Sequence, residues 1–445
     1  MTAIHLRTKA WFGDESLAIE FPDSWEVCQT RPQDQPVLTE DRIRRLLAQP
    51  IGTEPLCELA RTRISAAIMT DDLTRPTPAA ELLPLLIEEL KRGGMAESAM
   101  TIIVAGGTHP PETAEAIVKK VGARTARTIK IIPHDCRRDL VDLGVSPAGL
   151  PLQVNRALMS SDLKIGVGCI YPHPIAGFSG GAKIILPAVC GAETTRMMHD
   201  YLRGARERGG SVDTELRRDM VAVARTVGLD FIANVVLNHE RRICGLFAGD
   251  VVLAHEQGVD AARGMYEVSV ISEADVVVAD MYPFDTSWQF AHDRGLWPFD
   301  RAGENTSRVV IAACPLGIGT HELFPVGNPF WTRLARRMRH FRFADLQRPA
   351  DKLKTMAKLI REKQQSLMVL SSGLKQEDLK RVFPRARVFD KWEAVRDSLL
   401  ARHGQGPVKV AVYRCAPLLL PPAVAGSVKD GAPSSSRSGS FRKSA

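Results

Sequence analysis

Short runs of β-branched and apolar residues recur along this chain, each closed by Gly, Pro or Asp before residues of helical period take over. That alternation is the pattern of βα units in a parallel sheet. "ISAAIM" (64–69) leads through "TDDLTRPTP" into the helical "AAELLPLLIEELKRGG". "TIIVAGGTHPPETAEAIVKKVG" (101–122) repeats the plan, with a helix expected from its prolines onward. "LKIGVGCIYPHPIAGFSGGAK" supplies a third unit, "DFIANVVLN" and "RICGLFAGD" read as antiparallel partners, and a helix is expected around "VVLAHEQGVDAARGMYEV".

A second series opens at "ADVVVADMYPFD" and continues through "RVVIAACPLG", a helix in "DKLKTMAKLIREKQQ", then "SLMVLSSGL", "WEAVRDSLLARHG" and "VKVAVYRC". The pattern therefore predicts two α/β domains with mainly parallel sheets. Residues 1–267 form the first and 268–420 the second, because one helix closes the first series and a new strand follows at once. From 421 to 445 the composition turns to Ser, Gly and charge with almost nothing to bury, which predicts a disordered tail.

Composition adds exclusions. At 445 residues and 44% hydrophobic content the chain is long enough for two cores. The net charge of +8 is mild for this length and lacks a basic stripe interleaved with aromatics, so nucleic acid is not an expected partner. The eight cysteines lie apart without a CxxC pair, as in reduced thiols of a cytoplasmic protein. No apolar run approaches the roughly 20 residues of a membrane helix, and the first residues lack a signal-peptide core.

Candidate chemistry clusters at strand ends, where open parallel sheets bind ligands. Asp71, Asp72, Thr74 and Arg75 follow the first strand, Thr108 and His109 the second, His134 and Asp135 the third, and His173 onward the fourth. "HPIAGFSGGAK" looks at first like a phosphate loop. Yet Lys183 precedes Ile184, where a Walker A motif needs Ser or Thr, and "GVGCIY" lacks the third glycine of a dinucleotide fingerprint. What remains is a lysine on a glycine-rich turn, suited either to a phosphate or to covalent attachment, with His173 before it and His199 after it as a possible metal ligand. His134, His239, His255 and His321 read as structural or surface histidines. Arg75 reads as a bidentate grip on a carboxylate, or as a turn residue paired with Asp72.

With "DDLTRPTP", "GGTHPP" and "HPIAGFSGGAK" followed by "MMHD" in order, the sequence resembles the nickel-pincer-dependent lactate racemase family over residues 65–295. The resemblance implies two α/β domains with the active site in the cleft between them. It also implies a nickel-pincer nucleotide (a pyridinium-3,5-bisthiocarboxylic acid mononucleotide) attached through one arm to Lys183, with His199 as nickel ligand and Asp72, Thr74, Gly180 and Gly181 around the cofactor. His109 and His173 are then the two bases, and Arg75 and Gln289 bind the carboxylate of a 2-hydroxy acid. The implied reaction is racemisation or epimerisation by reversible hydride transfer, supported by cofactor-synthesis enzymes as partners. One departure stands out: "YPFDTSWQFAHDRG" carries His292 where the family has a carboxylate-binding lysine, so His292 is a substrate-binding candidate that either keeps the carboxylate role or shapes a pocket for a 2-hydroxy acid larger than lactate. The rival readings are a zinc hydrolase built on His109, His173 and His199, and a phosphate- or nucleotide-binding regulatory module.

Overall fold

The computed structural model describes residues 1–201, 211–321 and 366–421. The helix expected in "DKLKTMAKLIREKQQ" and the tail beyond 421 lie outside them. Two six-stranded sheets organise the chain. In the first, Ala66–Thr70 pairs in parallel with Met100–Val104 on one side and Leu163–Cys169 on the other. Lys130–Pro133 and Phe231–Leu237 extend it in parallel, and Ile243–Gly249 closes one edge antiparallel. Strand order reverses beside Ala66–Thr70, so the loops after this strand and after Leu163–Cys169 flank a topological switch point, the usual ligand crevice of such sheets.

Ala66–Thr70, Leu163–Cys169 and Phe231–Leu237 are buried throughout, as apolar runs covered on both faces must be. Helix Ala79–Arg92 buries Leu82, Leu83, Leu86 and Leu90 on one stripe. The helix expected from the prolines of "THPPE" begins instead at Ala114. Thr113 takes extended backbone angles there and its hydroxyl accepts from the Ala116 amide, so the cap, not the prolines, sets the start.

The second sheet is parallel throughout, in the order Arg387–Phe389, Leu367–Leu370, Ser307–Ile311, Val276–Asp280, Lys409–Tyr413, Glu26–Thr30. Its last strand comes from the start of the chain. The hairpin Thr2–Thr8 with Glu15–Phe21 also packs Ile4, Leu6, Ile19 and Phe21 against Val276, Val278 and Val410. Residues 1–30 thus complete the C-terminal sheet, and the expected boundary at 267/268 separates the sheets only for the chain after them. The pattern of "EVCQT" is too short and polar to announce an edge strand whose partner lies at the far end of the sequence.

Among the described residues no helix is long and apolar enough to cross a membrane, and all eight cysteines are free thiols.

Candidate active site

The loop after Ala66–Thr70 is a tight knot of polar bonds. The Asp72 Oδ1 atom accepts from the Thr74 amide (3.1 Å) and hydroxyl (2.5 Å), and its Oδ2 is bonded to His109 Nδ1. The Thr74 hydroxyl in turn accepts from Arg75 Nη1 at 2.7 Å. Burial alone would raise the Asp72 pKa, but His109, Arg75 and Thr74 together hold it below the ordinary carboxylate range. Burial also lowers the His109 pKa against the pull of Asp72, with Arg75 and Arg294 adding to the fall. Asp72 is therefore ionised and His109 neutral, so Nδ1–H donates to the carboxylate and Nε2 presents a lone pair. Glu112, which accepts from the Leu73 amide at 3.0 Å, is pushed up to about 7 by burial and by the Asp72 charge.

His173 is oriented differently. It lies on a two-residue strand paired with Gly177–Phe178, and the chain turns so that the amides of Ile175 and Ala176 both donate to its Nδ1 at 3.2 Å. Burial and the neighbouring Lys183, Arg294, Arg75 and Arg217 keep it well below its usual pKa. The neutral ring therefore carries its hydrogen on Nε2.

The glycine-rich loop that follows is clamped from three sides. Arg217 donates to the carbonyls of Ala176 (3.0 Å), Gly180 (3.2 Å) and Phe178, His255 Nε2 donates to Ser179 O (2.8 Å), and the Gly181 amide donates to Asn234 Oδ1 (2.7 Å). Gly180 and Gly181 have φ of +80° and +59°. A Cβ at Gly181 would lie 2.7 Å from the His255 ring, so backbone angle and space both demand glycine. This turn presents Lys183 on the short helical segment Gly181–Ile184. No carboxylate lies within ion-pair distance of its Nζ among the described residues, and burial with Arg75, Arg294 and Arg217 lowers its pKa well below the usual lysine value.

The second sheet contributes helix Trp288–Gly295, which follows Val276–Asp280. The Phe290 ring lies 4.8 Å from the His109 ring and 5.4 Å from Arg75 Cζ, so the strand-end loops of both sheets meet there. Arg294 is 4% exposed, hydrogen-bonded to Tyr171, and its Nε has no partner. Its charge acts on His109, His173, Lys183 and Tyr171 alike. On the same helix His292 Nδ1 is bonded to Trp288 O at 2.8 Å, and its ring stacks on Trp288 and meets the Phe383 edge. The helix thus brings Arg294 to the cluster and sets His292 against Trp288. Gln289, also buried, donates its backbone N–H to Ile318 O at 2.9 Å.

His199 sits on helix Ala192–Tyr201 with Nδ1 bonded to Thr195 O at 2.8 Å, a bond that fixes its ring orientation. It is linked to the cluster through His321, whose pKa falls to about 3 through burial and the nearness of His109 and His199, and whose ring lies 5.1 Å from that of His109. The sequence reads His321 as a structural or surface histidine, and nothing in its local motif marks it otherwise. His134 is bonded to Asn155 and Cys190 O and is buried away from these loops. No group of three or more His, Cys, Asp or Glu able to hold a metal is gathered among the described residues. The three-histidine zinc site of the rival reading is therefore not formed. A histidine held by its Nδ1, and a lysine with no carboxylate in ion-pair distance among the described residues on a glycine turn with no room for a Cβ, are residue types that fit a metal whose remaining ligands belong to a lysine-tethered organic group.

Residues 12–210 match the family model described as the lactate racemase N-terminal domain. The chain is 30% identical over 320 residues to the lactate racemase of Thermoanaerobacterium thermosaccharolyticum, covering 69% of this chain and 74% of that enzyme. It is 33% identical over 266 residues to the lactate racemase of Lactiplantibacillus plantarum, covering 58% of this chain and 62% of that enzyme's length. The structure of the Thermoanaerobacterium thermosaccharolyticum lactate racemase apoprotein superposes with a TM-score of 0.71 at 23% identity, over 95% of this chain and all of that one. A Thermotoga maritima protein superposes at 0.60 and 16%, over 88% of this chain and all of that one.

Proposed function

The chain belongs to the lactate racemase family, and from that premise we propose that it racemises or epimerises a 2-hydroxy acid with a nickel-pincer nucleotide tethered to Lys183. The observation that carries this is Lys183 itself: a lysine with no carboxylate in ion-pair distance among the described residues, on a clamped glycine turn, in the field of Arg75, Arg294 and Arg217 and near His173. His199 would hold the nickel, while Gly180, Gly181, Asp72 and Thr74 line the approach. When bound, the group supplies a hydride acceptor for a Cα–H bond too weakly acidic for direct proton abstraction.

The chain's own residues do the rest. Arg75 and Arg294 hold the substrate carboxylate, with Gln289 beside them. His109 accepts the hydroxyl proton at Nε2 as the Cα–H bond breaks, and Asp72 stabilises the imidazolium that results. A planar 2-keto acid remains. His173 hydrogen-bonds the keto oxygen from the other side through its neutral Nε2–H, and the proton held on His109 returns to that oxygen when the keto acid is reduced on its opposite face, which gives the other enantiomer. A histidine in place of the family's lysine, with Arg294 two residues on, motivates the reading of a substrate with a side chain larger than the methyl of lactate.

Intact mass after co-expression with cofactor-synthesis enzymes tests the proposal, together with chiral analysis of a panel of 2-hydroxy acids. The expected result is an added mass that Lys183→Ala loses, nickel that His199→Ala loses, and racemisation of at least one panel member. An unmodified chain, or a mass retained in Lys183→Ala, overturns it.

A further inference from the structure

We infer that the tip of the N-terminal hairpin, Lys9–Asp14, supports the active site: Trp11 and the buried Lys120 are positioning residues that hold the Asp71–Arg75 loop for the carboxylate grip of Arg75. The inference rests on the carboxylate role given to Arg75 above and deepens it.

The strands of the hairpin pack in the core of the second sheet, but its tip enters the core of the first. Ala10 is fully buried there, and Trp11 packs against the same cluster. Lys9, Trp11 and Asp14 have φ of +59°, +70° and +47°, a region costly for residues with a Cβ, so the tip keeps this shape only because its surroundings fix it. Both polar members of "YPFD" take part. Asp285 accepts from the Thr8 hydroxyl at 3.1 Å and from the Lys9 and Ala10 amides at 2.7 and 3.1 Å, and the Tyr282 hydroxyl donates to Asp14 at 2.7 Å. Arg241, in the turn before Ile243–Gly249, pairs with Asp14 at 2.9 Å and lies over the Trp11 ring with Cζ 4.0 Å from its centroid.

The same ring carries a second cation, Lys120, whose Nζ lies 4.9 Å from the centroid. Lys120 stands in the last turn of helix Ala114–Val121 and is 1% exposed. It donates to the Arg75 carbonyl at 3.1 Å and pairs with Asp71 Oδ1 at 2.5 Å, while the Thr77 hydroxyl donates to Asp71 Oδ2 at 2.5 Å. The three hydrogens of its ammonium thus have a carbonyl, a carboxylate and an indole face to meet. Trp11 Nε1 makes no hydrogen bond among the described residues, so the ring acts through its face. A lysine needed only to neutralise Asp71 would not have to hold the main chain of Arg75. The Thr74 hydroxyl orients the guanidinium, and Lys120 fixes the backbone from which it starts. Tyr282 and Asp285 stand just before helix Trp288–Gly295, which carries Arg294. The tip therefore bonds to the elements of both guanidinium groups assigned to one carboxylate, and sets their spacing.

Kinetics of the loaded chain and hydrogen exchange of the cofactor-free full chain test this together. Trp11→Leu should raise KM about tenfold with kcat within about twofold, since a carboxylate keeps its charge from ground state to transition state. It should also speed amide exchange in peptides spanning residues 71–77 about tenfold. Trp11→Phe keeps a ring face and should bring both readouts within about threefold of wild type. Phe12→Leu is the control. Phe12 lies 4.2 Å from Lys119 on the same tip, but Lys119 pairs with Glu115 and not with the loop. Its KM and loop exchange should stay within about twofold of wild type. Should Trp11→Leu fail to fold by circular dichroism, Asp14→Asn, which loosens the tip from Tyr282 and Arg241, carries the same test with a smaller rise in KM. Wild-type KM or wild-type loop exchange in the folded variant, or equal changes in Phe12→Leu, overturns the inference. A wild type that racemises no panel member sinks the proposed function instead, and loop exchange in Trp11→Leu still decides the support.

Discussion

His109 and His173 stand at the ends of the two strands that flank Ala66–Thr70, yet their Nδ1 atoms are tied in opposite senses. His109 gives its Nδ1 hydrogen to a carboxylate, and His173 receives two hydrogens from backbone amides. One ring therefore offers a lone pair at Nε2 and the other an N–H, without any difference in their own chemistry. The lesson is that partner type sets tautomer, and tautomer sets which proton movement a histidine begins with. It also separates what mutation can reach: the orienter of His109 is a side chain, whereas that of His173 is main chain.

The comparison breaks most sharply at Asp72. Asp72→Asn should cut racemisation by roughly 10³–10⁴-fold, because an amide in place of the carboxylate can impose the wrong tautomer on His109 and cannot stabilise its cation. Chiral analysis of initial rates checks this, and a loss under tenfold would show that His109 does not depend on its carboxylate. Next, glutamine offers an N–H but no base. His109→Gln should lose about 10²–10⁴-fold, whereas His173→Gln should lose only about tenfold when the reaction starts from the enantiomer whose proton His109 takes. Equal losses from both enantiomers would erase the distinction.

Arg294 and His292 sharpen the picture on the substrate side. Arg294→Gln should raise KM about 10–100-fold, the worth of one charged hydrogen bond, while His292→Gln should change it less than about twofold. The reverse order would return carboxylate binding to His292. The smallest effect belongs to Glu112. It is protonated below about 7 and ionised above, and its added negative charge beside Asp72 makes His109 a stronger base. The rate should therefore step up with pH through 7 by roughly threefold, and Glu112→Gln should flatten that step. A pH profile of kcat/KM for both proteins decides it.

Most of the fold was legible because apolar runs alternate with helical period, and that signal is local. The strands at Ala66–Thr70, Leu163–Cys169 and Val276–Asp280 lie where the pattern puts them. Glu26–Thr30 was hidden, since pairing across the length of a chain leaves no trace in a five-residue segment. At the site, the strand-end motifs gave His109, His173, Arg75 and Lys183, which the loops bring into one electrostatic neighbourhood. The clamp around the glycine turn went unseen, although two signals existed. Asn234 interrupts the apolar strand Phe231–Leu237, and Arg217 lies on the buried stripe with Met220 and Ala224. A polar residue on a face that should be apolar asks what it is bonded to, a question only the fold answers. His292 against Arg294 was likewise undecidable from spacing, because neighbours two apart on a helix point to different sides.

The borrowed strand also shapes how the protein is made. Glu26–Thr30 finds its place only beside Lys409–Tyr413, which emerges from the ribosome about 380 residues later. At about 5–20 residues per second, that is a wait of roughly 20–75 seconds. Throughout it the hairpin Thr2–Phe21 has no sheet to cover, and the nascent chain carries an unpaired edge with apolar neighbours at its leading end. The first sheet meanwhile has every strand it needs once Ile243–Gly249 has been translated, so the sheet that carries Lys183 can form before the sheet that carries Arg294, which waits for Glu26–Thr30 and Lys409–Tyr413 to meet.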